Sequence, residues 1–146
     1  MTKNRLENYP LVCSKIDKAE KKFLCPECNC FCYLNKGPFK REFWDLGDDI
    51  KTTRRKIEVP MRQFGCSGCQ RLYTPSTKEI GPKGGWFTWQ VINKALSNLA
   101  VGRNLQQTHE ELASKHYVQV SLSTINLWKR KYSKIYRKGE RWWLKI

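Results

Sequence analysis

The chain has 146 residues, 40% hydrophobic and 28% charged, with 28 Lys and Arg against 13 Asp and Glu for a net charge of +15. This length suits one ordinary domain or two small ones, and no apolar run approaches the roughly 20 residues of a membrane helix. So basic a protein usually meets a polyanion; nucleic acid leads over a membrane surface, because neutralising phosphates releases counterions and drives binding.

Residues 1–24 read as a polar lead-in. Met1 to Pro10 lacks the apolar core of a signal peptide, which points to the cytoplasm. Ile16 to Lys22 is expected to form a short helical turn without chemistry, and Cys13 to be a free thiol. Seven cysteines cannot all pair within one chain, and without a secretory signal, clustered cysteines read as metal ligands.

Residues 25–75 hold two such clusters, Cys25-Pro26-Glu27-Cys28 and Cys66-Ser67-Gly68-Cys69. Each C-x-x-C turn can aim two thiolates at one ion about 2.3 Å away, and two turns complete a tetrahedron around zinc. A redox C-x-x-C needs only one pair and usually sits in a βαβ pattern. Gly68 suits the second turn, because glycine tolerates positive φ. Ile57, Val59 and Met61 alternate as in a half-buried strand, and Gln70 to Thr74 offers a returning strand. Phe31 to Leu34 and Phe39 to Trp44 supply two more, with Asn35-Lys36-Gly37-Pro38 as the turn of an extra hairpin. The expected unit is a zinc ribbon holding one structural zinc on Cys25, Cys28, Cys66 and Cys69, since four thiolates leave no open position for catalysis. Either Cys30 or Cys32 could replace a ligand, although their alternation better fits a strand with one thiol buried.

Residues 76–85 form a Gly- and Pro-punctuated linker. Residues 86–136 have helical periodicity. Trp86 to Val101 spaces Trp89, Ile92, Leu96 and Leu99 as an amphipathic helix, stopped by Gly102. A second helix is expected from Thr108, which stands three residues before Glu111 in capping-box form. A third begins at Ser121 or Ser123 and puts Ile125, Trp128, Tyr132 and Ile135 on one stripe. Its other face carries Ser123, Asn126, Lys129, Arg130 and Lys134. Helix, turn and basic-backed helix make a helix-turn-helix pattern; the bland alternative is a plain three-helix bundle. The expected DNA contacts are Ser121, Ser123, Thr124, Asn126, Lys129, Arg130, Lys134, Arg137 and Lys138, with Asn126 and Arg130 reading bases. His109 and His116 are expected at the surface. The tail, residues 137–146, is basic and aromatic. The fold class is thus α+β, a small β zinc ribbon followed by a three-helix helix-turn-helix domain.

Arg62 to Tyr73 resembles the second knuckle of the zinc ribbons at the front of prokaryotic insertion-sequence (DDE-type) transposases, and Val120 to Trp128 is similar to their helix-turn-helix. The order of the two units also matches, over residues 25–136. The resemblance implies an end-binding module acting on double-stranded DNA in transposition. The family's RNase H-like domain usually opens with a strand, which Arg141 to Ile146 resembles, but no acidic catalytic set can be carried over. It implies binding without catalysis, as a homodimer or beside a transposase catalytic subunit, in the cytoplasm at the nucleoid. A stand-alone transcription regulator and a protein-interaction module use the same parts. RNA binding stays open, and no nucleophile–base set favours a hydrolase.

Overall fold

The computed structural model describes residues 6–18 and 23–146. The chain is α+β. Its strands are β1 (Leu11–Lys15), β2 (Cys32–Asp48), β3 (Thr53–Cys66) and β4 (Leu72–Tyr73). Its helices are α1 (Trp89–Ala100), α2 (Leu105–His116) and α3 (Leu122–Tyr132), and a 3₁₀ turn, Trp142–Lys145, closes it. Within the sheet, β3 is central, flanked by parallel β1 and antiparallel β2, and β4 pairs antiparallel with its last residues. Among the described residues, no helix is long and apolar enough to cross a membrane.

The long β2–β3 hairpin follows from alternation. Phe43, Val59 and Met61 lie on one face, fully or nearly buried, with Phe39, Ile57 and Ile80 packed against them. The other face is ionic. Glu42 and Glu58 stand opposite each other, an unfavourable pair, and Lys40 Nζ bridges them at 3.7 and 3.4 Å. The expected turn at Asn35–Pro38 does not form. β2 runs through it as one strand, absorbing the Gly-Pro step in register shifts between Leu34 and Phe39. The chain reverses at residues 49–52 instead, where Asp48 Oδ1 accepts from Ile50 N at 2.9 Å and Lys51 N at 3.3 Å. An Asp side chain bonding the backbone two residues on is a turn former in its own right. Gly47 is required beside it, because a Cβ there would lie 2.1 Å from Thr53 O and 2.6 Å from His116 O.

The three helices enclose a second core of Trp89, Ile92, Leu96, Leu112, Ile125, Trp128 and Tyr132, joined by Trp142 and Trp143. Trp44 and Leu46 of β2 pack against it, and Trp44 exchanges backbone hydrogen bonds with Trp86 and Thr88. The segment 76–85 has no regular secondary structure, yet Thr77 and Gly81 within it are buried.

Several boundaries move. α1 starts at Trp89, with Thr88 as N-cap. The N-cap of α2 stands four residues earlier than expected. Asn104 caps it in a full capping box with Gln107, and Thr108 is a buried residue of the first turn whose hydroxyl donates to Asn104 O. α3 has Ser121 as N-cap but ends at Tyr132, so Ile135 lies beyond it, 43% exposed. Residues 16–18 are not helical; they run along β3, with Ile16 N donating to Glu58 O and Lys18 N to Pro60 O. The rest of the turn expected there, 19–22, lies outside the described residues. Arg141 to Ile146 does not open a strand: Trp142 and Trp143 turn inward, and Trp142 Nε1 donates to Asn93 Oδ1 at 2.9 Å.

Candidate functional site

The two cysteine turns use one backbone device twice. Asn29 N donates to Cys25 O and Gln70 N to Cys66 O, each at 2.8 Å; Cys25 N donates to Cys30 O and Cys66 N to Arg71 O, each at 2.9 Å. The residue after each second cysteine takes the left-handed conformation, Asn29 with φ 59° and Gln70 with φ 64°. Gly68 is not a positive-φ position. Its role is space: a Cβ there would stand 3.2 Å from Cys28 Sγ and 3.4 Å from Cys30 Sγ.

The sheet brings the turns together. Cys32 pairs with Cys66 at the end of the hairpin, and a bridge between Leu24 and Phe31 folds the first turn back over it. The sulfurs of Cys25, Cys28, Cys66 and Cys69 then lie within 4.8 Å of one another, with 3.5 Å between Cys25 and Cys69 and 3.2 Å between Cys28 and Cys66. Four thiolates about 2.3 Å from one ion would sit about 3.8 Å apart, so the set could hold a single metal ion tetrahedrally. Cys25 and Cys66 are buried, while Cys28 is exposed. This is the only group of three or more metal-binding side chains found among the described residues.

Electrostatics splits the four. Burial raises the Cys25 thiol, but the Tyr73 hydroxyl and the backbone of Cys28 and Glu27 outweigh it and hold it down to about 6. Cys66 is lowered, first by the backbone at Cys69 and then by Cys28. The second cysteine of each turn goes the other way. The backbone at Cys30 lowers Cys28, yet Cys66 and burial prevail and raise it; Cys69 is likewise raised by burial and Cys25 against the backbone at Arg71. Four thiolates repel one another, and a bound cation favours the deprotonated form of each.

Three side chains complete the site. Cys30 is exposed, and its sulfur stands beside Cys28; Cys32 is half-buried, and burial and the charge of Cys66 raise its pKa. Tyr73 lies outside the two cysteine turns. Its hydroxyl lies 3.2 Å from Cys25 Sγ, and its place on β4, four residues after Cys69, is the signal that could have found it. A donor to a ligand sulfur orients and tunes it. Tyr73→Phe is expected to weaken metal binding about tenfold while leaving the helical signal unchanged, as measured by competition with a chromophoric chelator. Unaltered affinity would show that the hydroxyl does not act on the sulfur.

The histidines lie away from this centre and are not simply at the surface. His109 is half-buried, with Nδ1 2.6 Å from Val120 O. His116 ends α2, where burial and then Lys94 lower its pKa.

α3 presents a second candidate surface. Ile125, Trp128 and Tyr132 are buried, and Ser123, Lys129 and Arg130 are exposed. Asn126 is half-buried, one turn before Arg130. Ser121 and Thr124 are partly committed to capping: Ser121 Oγ accepts from Thr124 N at 3.2 Å, and the two hydroxyls are 2.8 Å apart. Lys134, Arg137 and Lys138 are exposed beyond the helix, and Arg137 donates back to the carbonyls of Lys134 and Tyr136. Leu127, 47% exposed beside Asn126, is an apolar residue on the outward side of α3. Comparison with protein-family models, curated proteins and solved structures finds no match to this chain.

Proposed function

We propose that this chain is a sequence-specific DNA-binding protein, with one structural zinc ion on Cys25, Cys28, Cys66 and Cys69 and a helix-turn-helix formed by α2 and α3. The carrying observation is the outward side of α3: no Asp or Glu occurs from Tyr117 to Gly139, while Lys129, Arg130, Lys131, Lys134, Arg137 and Lys138 do. A groove-reading helix needs a buried stripe to fix it and an acid-free face for the phosphates. All-sulfur tetrahedral ligation favours zinc, and a closed shell makes it structural. The activity is binding rather than catalysis. By its resemblance, it is the end-binding module of an insertion-sequence transposase, working on double-stranded DNA at the nucleoid.

Selection of bound duplexes from a random pool tests the proposal, with enrichment of one sequence expected. Asn126→Ala and Arg130→Ala should each cost roughly 1–3 kcal/mol of discrimination between the selected duplex and a scrambled one. Lys134→Ala and Lys138→Ala should weaken both duplexes alike and flatten the salt dependence, because phosphate contacts carry no sequence information directly. Equal losses on both duplexes for Asn126→Ala and Arg130→Ala would remove these residues as readers, and a pool without enrichment would remove the specificity.

A further inference from the structure

Large apolar side chains gather on one face of the cysteine-bearing end of the hairpin. Tyr33, Gly65 and Leu72 are successive partners across β2, β3 and β4, so they share one rung. Phe31 stands two residues before Tyr33, hence on the same face, and Leu24 is its bridge partner. Phe31 is 72% exposed, and Leu24, Tyr33 and Leu72 are each about half exposed. Gly65 keeps the rung flat. A Cβ there would stand 2.6 Å from Tyr33 Cζ, so the ring lies over bare backbone and keeps its other side open. Neither Phe31 nor Tyr33 meets another aromatic ring among the described residues.

The border of this face is cationic. From residue 28 to 40 and from 59 to 73 there is no Asp or Glu, while Lys36, Lys40, Arg62 and Arg71 occur. Lys36 pairs with Gln63, two residues from Gly65 along β3, and is in no ion pair among the described residues. Arg71 adjoins Leu72, and its 3.4 Å pair with Glu27 is exposed, so it holds the guanidinium weakly. Alternation puts Cys32 and Cys66 on the opposite face, so their thiolate charge is turned away from the rings. A partner for this face carries negative charge together with flat apolar surfaces.

We infer that this face binds an unpaired DNA strand, with bases stacked on Phe31 and Tyr33 and phosphates beside Lys36 and Arg71. Open rings bordered by cations form sequence-tolerant single-strand sites, because every base has a flat apolar face. Spacing argues against a duplex here. The two side chains stand about 7 Å apart along the strand, whereas paired bases follow one another at about 3.4 Å and leave no room for a ring between them. An unpaired strand can splay its bases to match. The site lies about 30 Å along the hairpin from Trp44, where the hairpin meets the helical core, and is therefore separate from α3. The choice of DNA over RNA rests on the proposed reading of α3; the stacking does not.

Fluorescence anisotropy of labelled strands, titrated with the metal-loaded full chain, tests the inference. Oligothymidylate should bind about 25-fold or more tightly than an abasic strand of equal length, which keeps the phosphates and lacks the bases. Phe31→Ala and Phe31→Leu should each weaken oligothymidylate about fivefold or more, and leave the abasic strand unaltered. Leucine keeps apolar bulk without a ring, and Phe31→Trp, which keeps a ring, should retain the affinity. The exposed position spares the fold, so metal content and helical circular dichroism should match the parent. Trp86→Ala, at an equally exposed aromatic outside this face, should change neither strand. Equal affinity for the two strands, or equal weakening by Trp86→Ala, would overturn the inference. Weakening by Phe31→Ala but not by Phe31→Leu would make the face an apolar contact for a protein and overturn it too. Tighter binding of oligouridylate than of oligothymidylate would overturn the assignment to DNA. A duplex pool without enrichment would count against α3 and not against this face.

Discussion

Cys66→Ser is expected to release the metal and unfold the cysteine-bearing end of the hairpin. Cys66 is fully buried, faces Cys32 across the sheet and lies 3.2 Å from Cys28 Sγ. The apolar support of that end is small: Phe31, Tyr33, Leu34 and Leu72 around it are all at least half exposed, and buried Phe64 carries Phe23 stacked at 5.2 Å with Tyr73 beside it. Structural zinc in small peptides contributes about 10–16 kcal/mol of apparent binding free energy at neutral pH, far more than this sparse apolar surface can replace. Metal content should fall from one ion per chain to near zero, while the helical circular dichroism persists, because the helical core contains no residue of either cysteine turn. Cys28→Ser should be milder, since the Cys30 sulfur stands close by as a substitute. Full metal content in Cys66→Ser would end the four-cysteine assignment.

Trp142→Ala should lower stability by about 3–5 kcal/mol, as large core truncations do. Trp142 is 2% exposed and packs against Trp89, Tyr132, Tyr136 and Trp143 with ring centroids 5.4–6.3 Å apart. The substitution also strands the Asn93 side chain that accepts from its indole N–H. Trp128→Ala should fall in the same range, for its ring meets Phe87 edge-on at 5.5 Å. Arg130→Ala, at an exposed position, should melt like the parent. A thermal and denaturant series checks all three; a Trp142→Ala variant as stable as the parent would show that the closing turn does not belong to the core.

What could be read in the sequence were features whose chemistry is local. The paired cysteines state their own spacing. Alternation at Ile57, Val59 and Met61 fixes a strand, and the steps from Trp89 to Leu99 and from Ile125 to Tyr132 fix two helices. The misplaced features each had two local solutions. Asn35-Lys36-Gly37-Pro38 and Asp48 to Thr52 are both turn formers, and cross-strand packing of Phe43 on Val59 and Ile57 selects the second. Asn104 with Gln107 and Thr108 with Glu111 both have the form of a capping box, and burial of Thr108 within the first turn decides for Asn104. A Trp-rich terminus suits a strand as well as a plug; packing of Trp142 against Trp89 and Tyr132 makes it a plug. Tyr73 was hidden because its partner is a sulfur 48 residues away.

The reversal at residues 49–52 bears on the order of folding. Rungs of the hairpin run from Asp48 with Thr53 beside the turn to Cys32 with Cys66 at the far end. Hairpins form in about 1–10 μs, and pairing that starts at the turn advances by closing one small loop after another, each at little added entropy. The last rung to zip is the one that brings the two cysteine turns within reach of each other. A metal ion held by the four cysteines would be captured last on this arm, and fraying under a chelator should begin where zippering ended.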